Sequence, residues 1–259
     1  MNETDTRRSG SGTGARSSYR EFPPAGPPVP GAVCAWEQRI GPGGGYVQRV
    51  LPDACADVVV TEDGGARFVG PATGAELARL SPGATVRGLR LRPSAIGPVL
   101  GCSAEALRNG EAALEDVLPS GEARLLAEQV WHGDSPELRP RRGFDARVRT
   151  ALRALSTPAA SVGGSAEAAG VSERHLRRLM LDATGLDPRE LQRVMRLQRF
   201  LSLADSAPVQ RLADLAVQAG YADQAHLSRE VRRMSGLTPR ALLRERRSGV
   251  GASWPEGSS

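Results

Sequence analysis

The chain of 259 residues contains no lysine and only three histidines and three cysteines, and 4% of its residues are aromatic. Cys34, Cys55 and Cys102 lie far apart without a C-x-x-C pair, which excludes a disulfide framework or zinc knuckle and indicates reduced thiols. The first 140 residues hold one histidine, His132, too few for a His-rich metal site. No apolar run approaches the roughly 18 residues of a membrane span, and residues 1–18 lack a secretory apolar core. We therefore expect a cytoplasmic protein without metal, cofactor or membrane association.

Charge is distributed unevenly along the chain. All 34 basic residues are arginine, which codon bias in a GC-rich genome explains. Residues 1–140 carry 14 arginines against 17 acidic residues, whereas residues 141–259 carry 20 against 12 and have a net charge of +8. The second part of the chain is therefore expected to meet a polyanion.

Local patterns divide the chain into five segments. Residues 1–18 and 248–259 have the composition of disordered ends. Residues 19–134 are β-rich, with short runs of strand-forming residues between Gly/Pro turns and a few short helices. The Pro-containing segment 135–143 is expected to be a linker, and residues 144–247 are expected to be helical. The predicted strands lie at 32–36, 57–61, 66–69 and 86–91, and the predicted helices of the β-rich part at 94–100, 103–108 and 122–131.

The helical part contains an internal repeat. The stretch Ala169-Gly-Val-Ser-Glu-Arg-His-Leu-Arg-Arg-Leu-Met180 closes with Thr184-Gly-Leu-Asp-Pro188. Its second copy is Ala219-Gly-Tyr-Ala-Asp-Gln-Ala-His-Leu-Ser-Arg-Glu-Val231, closing with Ser235-Gly-Leu-Thr-Pro239. From the histidines to the final prolines the copies match at an offset of 51, whereas the Ala-Gly pairs match at 50 because the second turn has one extra residue. Such agreement indicates two copies of one structural unit.

Each copy has the pattern of a helix, a glycine turn and a second helix with a capping residue before it. Ser172 and Asp223 are the predicted N-caps, and leucines such as Leu176 and Leu227 form the inner faces. This is the pattern of a helix-turn-helix, whose second helix enters the major groove of DNA. The outer faces carry arginine and glutamine, which can form paired hydrogen bonds with guanine and adenine, and arginine also binds phosphate. Solvated amphipathic helices are the alternative interpretation, which two basic copies in register disfavour.

Residues 144–247 resemble the DNA-binding domain of AraC/XylS-type transcription regulators of bacteria. The motifs Gly170-Val-Ser-Glu-Arg-His-Leu-Arg-Arg and Gly220-Tyr-Ala-Asp-Gln-Ala-His-Leu-Ser-Arg, each with its closing Gly-Leu-x-Pro, carry this resemblance. It implies seven helices, with two helix-turn-helix units joined by a long helix over Pro188–Ala204 and recognition helices in successive major grooves. The implied DNA-binding residues are Ser172, Arg174, Arg177 and Arg178 in the first unit and Gln224, Ala225, Ser228, Arg229 and Arg232 in the second.

The two units differ in how well they follow the pattern. Gly163, Gly164 and Ser165 fall in the first helix of the first unit, which we expect to be less stable because glycine costs about 1 kcal/mol in a helix interior. Val231 and Met234 stand in the second unit where aromatic residues are common, a change in volume that the core can absorb. The second unit is therefore expected to keep the family geometry more closely.

Residues 19–118 resemble an uncharacterised domain that precedes this DNA-binding module in many actinobacterial regulators. The matching stretches include Tyr19-Arg-Glu-Phe-Pro-Pro24, Val50–Val60 and Gly88-Leu-Arg-Leu-Arg-Pro93. The resemblance implies a small cupin-like β-barrel for sensing or dimerisation, with Ala54 where a turn glycine is usual. Candidate effector-binding residues are Trp36, Tyr46, Arg90 and Arg92. Phe68 could also line such a pocket. The alternative, which we favour, is that the aromatic residues belong to the core and the arginines to the surface.

The sequence thus predicts an α+β protein: a β-rich, cupin-like barrel followed by an all-α domain of two helix-turn-helix units. Its predicted function is that of a sequence-specific transcription regulator whose front domain senses an effector or forms dimers. Expected partners are promoter DNA, a possible small-molecule effector, a possible second copy of the chain and, for an activator, RNA polymerase. The alternatives are a cupin-like enzyme or a thiol sensor at Cys55 fused to the DNA-binding module, and a nucleic-acid binder without sequence preference.

Overall fold

The computed structural model describes residues 17–42, 46–206 and 210–247. Within them the chain forms eight strands, ten α-helices and two 3₁₀ turns, at Pro93–Ala95 and Ala104–Leu107. The strands are β1 (Ser18–Phe22), β2 (Ala32–Arg39), β3 (Tyr46–Val50), β4 (Ala56–Thr61), β5 (Ala66–Val69), β6 (Glu76–Leu80), β7 (Thr85–Leu91) and β8 (Glu111–Ala113). The helices are α1 (Ile96–Leu100), α2 (Leu114–Val117), α3 (Ser120–His132), α4 (Ala146–Leu155), α5 (Val162–Ala168), α6 (Glu173–Thr184), α7 (Pro188–Ser206), α8 (Leu212–Gln218), α9 (Gln224–Ser235) and α10 (Pro239–Arg247).

The ends of the chain that we expect to be disordered lie almost wholly outside the described residues. Only residues 17 and 18 of the segment 1–18 are described, and Ser18 already begins β1. The predicted tail 248–259 is not described at all. No helix in the described ranges combines the length and apolarity needed to cross a bilayer.

The β-rich part is not the closed barrel that the sequence analysis expects. Six antiparallel strands form one sheet in the order β1-β2-β7-β4-β5-β8, and β3 pairs only with β6 in a separate two-stranded sheet. This two-stranded sheet contacts the helical domain, since Arg49 of β3 donates to the Ser235 carbonyl oxygen at 2.8 Å. The fold class, a β-rich domain before a helical one, is confirmed.

One face of the large sheet carries the core of the β-rich domain. Alternation along β4 buries Val58 and Val60, and they pack with Leu89 of β7 and Phe68 of β5. Helices α1 and α3 cover this face with buried apolar residues such as Ile96 and Leu126. The segment predicted as a linker, 135–143, packs against the same core through Leu138, which is 5% exposed.

Seven helices, α4 to α10, make up the described helical part, and two apolar clusters hold them together. One cluster contains Leu176, Met180 and Leu191 from α6 and α7. The other contains Phe200, Leu227 and Leu242 from α7, α9 and α10. Because α7 contributes to both clusters, it joins two compact halves, as the resemblance implies.

Polar contacts connect the two domains directly. Arg49 forms an ion pair with Glu245 at 2.9 Å, and Arg108 forms one with Glu190 at 3.4 Å. The Ala75 amide donates to the Met234 carbonyl oxygen at 2.6 Å. The β-rich domain therefore contacts the helical domain at α7, α9 and α10, and it also packs against α6.

Candidate nucleic-acid interface

The first helix-turn-helix unit consists of α5 and α6. Ser161 caps α5, with its Oγ accepting from the Gly164 amide at 3.0 Å. Ser172, the predicted cap of α6, accepts from the His175 amide at 3.3 Å. These caps satisfy amide groups that have no carbonyl partner within their own helix.

The second unit repeats this arrangement with α8 and α9. Asp223 caps α9, with its Oδ1 accepting from the His226 amide at 2.6 Å, in the position that corresponds to Ser172 and His175. Both recognition helices end at a glycine in the left-handed region, Gly185 at φ 75° and Gly236 at φ 76°. An L side chain rarely adopts this conformation, so glycine ends both helices.

The carboxyl ends of α6 and α9 are also built alike. Thr184 donates its hydroxyl to the Met180 carbonyl at 2.8 Å, and Ser235 donates to the Val231 carbonyl at 2.7 Å. Each hydroxyl oxygen in turn accepts from the amide two residues on, at 3.2 Å and 3.1 Å. The repeat that the sequence predicts is therefore present as two structurally equivalent units.

On α6 the predicted base-facing arginines point away from the core. Arg174, Arg177 and Arg178 are exposed, whereas Leu176 and Met180 on the other face are fully buried. None of these arginines forms an ion pair with a described residue. Their charges are therefore available to an anionic partner.

On α9 the exposed set is Gln224, Ala225, Arg229 and Arg232, opposite the buried Leu227 and Val231. Ser228 lies on the same side but is half-buried, and its hydroxyl donates to the Gln224 carbonyl at 2.8 Å. The α9 surface presents three exposed arginines, as α6 does, because Arg233 is exposed as well. It combines an amide donor and acceptor with guanidinium groups, which suits contacts with different bases.

Helix α7 fixes the two units relative to each other. Gln192 donates to the Ala160 carbonyl at 2.7 Å in the segment before α5. Arg199 donates to the Ala219 carbonyl at 3.0 Å, in the turn of the second unit, and also to the Ser156 carbonyl after α4. The two recognition helices thus belong to one framework.

Several exposed arginines on or near α9 are absent from the predicted set, among them Arg211, Arg240 and Arg244. Arg211 precedes α8, and Arg240 and Arg244 lie one turn apart on α10, in a cavity that Gln224 also lines. The four-residue spacing of Arg240 and Arg244 is a signal in the sequence, because it puts both on one helix face.

In the β-rich domain, the structure brings Trp36 and Arg90 together. Trp36 donates its indole N–H to Asp57 Oδ1 at 2.7 Å, and Arg90 Nε lies 3.2 Å from the same oxygen. Glu21 and Asp53 also approach Arg90 Nη1, at 3.4 Å and 3.7 Å. This ion cluster lies on the sheet face opposite the apolar core, where the buried Arg90 is surrounded by carboxylates.

The other candidate effector residues do not join this cluster. Arg92 is exposed and donates to the Ala32 carbonyl at 3.3 Å. Phe68 is fully buried in the core on the opposite face. Tyr46 begins β3, and its side chain lies outside the described part of the structure.

Two of the three cysteines, Cys34 and Cys55, are buried, whereas Cys102 is exposed. Burial raises the pKa of the Cys34 thiol to about 12 and raises the pKa of the Cys55 thiol well above its usual value. Both thiols are therefore protonated at neutral pH, whereas the thiolate is the reactive form. Among the described residues no group of three or more His, Cys, Asp or Glu is arranged to hold a metal ion.

Two protein-family models match separate parts of the chain. Residues 165–245 match a family described as a helix-turn-helix domain, and residues 20–113 match a domain of unknown function (DUF6597). No curated protein matches the chain. The helix-turn-helix match begins inside α5, covers α6 to α9 in full and includes most of α10.

Several solved structures are similar to the chain at low sequence identity. The C-terminal domain of AraT, a response regulator from Geobacillus stearothermophilus, is 20% identical over 44% of this chain and 93% of that chain, with a TM-score of 0.37. ToxT from Vibrio cholerae is 12% identical over 80% of this chain and 95% of its own, with a TM-score of 0.41. Wild-type ToxT with bound unsaturated fatty acid is 12% identical over 91% and 97% of the two chains, with a TM-score of 0.40.

Proposed function

We propose that this chain is a transcription regulator that contacts two successive major grooves of promoter DNA. It carries an AraC-type helix-turn-helix domain in residues 165–245, which follows a domain of unknown function in residues 20–113. Helices α6 and α9 are the recognition helices, and α7 sets the distance between them. We assign the DNA-binding domain to residues 144–247 and the regulatory domain to residues 19–134, connected by 135–143.

The observation that carries this proposal is the structural equivalence of α6 and α9. Both begin at a side-chain cap and end at a left-handed glycine, and both expose a polar face without bound carboxylates. Arg174, Arg177 and Arg178 contact guanine edges and phosphates of one half-site, and Gln224 and Arg229 contact bases of the other. Ser172, Ala225, Ser228 and Arg232 complete the two contact surfaces.

The β-rich domain regulates this activity by binding an effector or by pairing with a second copy of the chain. Its contacts with the Gly185 turn after α6 and with α7, α9 and α10 support this role, because a rearrangement of the β-rich domain would reach both helix-turn-helix units. Arg90 and Trp36 are the candidate effector contacts. Because three carboxylates already surround Arg90, a neutral or aromatic group suits this site better than an anion. The chain has no catalytic role in this proposal, and an activator would also contact RNA polymerase.

Selection of binding sites from a random duplex library tests the proposal. A sequence-specific regulator should enrich one motif and bind it about 10³-fold or more tightly than mixed-sequence DNA at the same moderate salt concentration. Equal affinity for the enriched and mixed-sequence duplexes would favour a binder without sequence preference and would contradict a regulator of specific promoters.

A further inference from the structure

A basic cavity of about 570 Å³ lies beside the second recognition helix, between the end of α7, the start of α8, the start of α9 and α10. Arginines are the only charged residues that line it, and none of its lining residues is Asp or Glu. Leu212, Leu215 and Leu243 provide apolar walls, and Gln224 lies at its edge with α9. The cavity therefore combines positive charge with one predicted base-contacting residue.

Three of the lining arginines carry the argument. Arg211, Arg240 and Arg244 are exposed, and none forms an ion pair with a described residue. The nearest acidic groups on α7 and α10 bind other arginines: Asp205 pairs with Arg246 at 2.6 Å, and Glu245 pairs with Arg49 at 2.9 Å. The positive charge of the cavity is thus not neutralised by these carboxylates.

The arrangement of Arg240 and Arg244 favours a ligand with negative charge. Both lie on one face of α10, four residues apart, and like charges at this spacing repel each other and destabilise a helix. Arg211 faces the same cavity from the residue that precedes α8. An anion held between these side chains would remove the repulsion.

The location of the cavity indicates which anion it meets. When a recognition helix lies in the major groove, the sugar-phosphate backbone that borders the groove passes close to the start of that helix. Gln224 is the first residue of α9 and lines the cavity, so a bound duplex would bring a backbone strand towards Arg211, Arg240 and Arg244. Phosphodiester groups are well matched to guanidinium donors.

We propose that Arg211, Arg240 and Arg244 form a phosphate clamp that holds the DNA backbone beside α9. This inference rests on the proposed function and adds contact residues outside both recognition helices. The clamp strengthens binding to every duplex equally, because phosphates carry no direct sequence information. Base preference comes from α6 and α9.

The test measures how salt affects DNA binding by the full-length chain and by the double variant Arg240→Ala/Arg244→Ala. The probes are a mixed-sequence duplex and, where selection yields one, the enriched duplex. Each lost phosphate contact lowers the slope of log Kd against log salt concentration by about 0.9, so the double variant should lose about 1.8. It should bind both duplexes about tenfold or more weakly at moderate salt, with an unchanged ratio of affinities.

Two further variants control this measurement. Arg20→Ala/Arg139→Ala removes the same charge from exposed positions of the β-rich region and should keep the wild-type slope. Arg240→Lys/Arg244→Lys keeps both charges on α10 and should recover most of the slope. Equal thermal midpoints of all variants would show that the folded fraction is the same.

The outcomes distinguish the clamp from the other interpretations. A wild-type slope in the alanine variant would overturn the clamp. If that variant kept the wild-type slope but no longer bound pyrophosphate in a calorimeter, the cavity would be a site for a free phosphorylated compound and not for the DNA backbone. A loss confined to the enriched duplex would also overturn it, since it would indicate base contacts. A reduced slope on mixed-sequence DNA supports the clamp even if no motif is enriched, so failure of the proposed function is a separate result.

Discussion

At the scale of single residues, the charge balance around Arg90 is the least expected feature. Glu21, Asp53 and Asp57 all lie within 3.7 Å of its guanidinium, so three carboxylates share one cation. Burial raises the pKa of Asp53 to about 6, with Arg90 opposing the shift and Asp57 and Glu21 adding to it. The folded chain therefore binds a proton at Asp53 more tightly than the unfolded chain does.

This shift predicts a pH-dependent stability that Asp53→Asn should remove. A carboxyl with a raised pKa stabilises the fold fully below its unfolded value near 4 and loses that contribution as pH rises through about 6. The free energy of unfolding of Asp53→Asn minus that of wild type should therefore be more positive at pH 8 than at pH 5, by about 1–3 kcal/mol. Thermal unfolding at both pH values measures the gain, and Asp134→Asn controls for net charge. An equal stability difference between Asp53→Asn and wild type at pH 5 and at pH 8 would contradict a raised pKa of Asp53.

Residue roles with local causes could be predicted from the sequence. Ser172 and Asp223 were expected to cap the recognition helices, and both accept the amide three residues on. The resemblance drew attention to Ala54 in place of a turn glycine, and Ala54 adopts φ 66°, in the left-handed region. The Arg90 cluster was not predictable, because its members come from three strands and a loop between residues 21 and 90.

At the scale of elements, α5 is a weak point of the first helix-turn-helix unit. Gly163 and Gly164 lie within this seven-residue helix, and Ser165 is buried where the second unit has the buried Leu215. Ser165 donates its hydroxyl to the Ser161 carbonyl at 2.8 Å, so the buried hydroxyl has a partner. The stability of α5 therefore depends more on its N-cap and its packing contacts than on the helix propensity of its residues.

Gly163→Ala should raise the free energy of unfolding by about 0.5–1 kcal/mol, because alanine loses less backbone entropy in a helix. The added Cβ would lie 3.0 Å from Glu173 Oε1, the flexible end of an exposed side chain that can move. Gly164→Ala is the matched comparison: its Cβ would lie 3.0 Å from the capping Ser161 Oγ, so its gain should be smaller. Denaturant unfolding measures both, and a larger gain for Gly164→Ala would contradict this explanation.

Four of the eight strands in the described residues were predicted from their runs of strand-forming residues. The expected runs at 32–36, 57–61, 66–69 and 86–91 correspond to β2, β4, β5 and β7. The other four strands, β1, β3, β6 and β8, were not predicted. In β6, Leu77 is 54% exposed, so the usual link between apolar residues and burial fails there.

At the scale of the whole molecule, the β-rich domain contacts matching ends of both recognition helices. The Gly185 turn after α6 lies close to Pro71 and Ala104, and the Ser235 carbonyl at the end of α9 accepts from Arg49. In addition, Gln198 of α7 donates to the Pro52 carbonyl at 2.5 Å, one residue before Asp53. A ligand that alters the Arg90 cluster could therefore change the contact with α7.

This docking was not predictable from a single sequence. Arg49 and Ser235 are 186 residues apart, and Pro52 and Gln198 are 146 apart, so no local pattern links them. The uneven charge indicated two functional parts but not their relative orientation. The β-rich part before a helical part and the two equivalent helix-turn-helix units could be predicted from the sequence, whereas the open sheet and the contacts between domains required coordinates.

The most direct test of two-helix DNA recognition is binding-site selection repeated with Arg177→Ala in α6 and Arg229→Ala in α9. Wild type should enrich a motif with two half-sites about one helical turn, or 10 base pairs, apart. Each variant should relax preference in a different half-site at a cost of about 1–3 kcal/mol. If both variants relax the same half-site, or if each weakens all sequences equally, α6 and α9 do not contact separate half-sites.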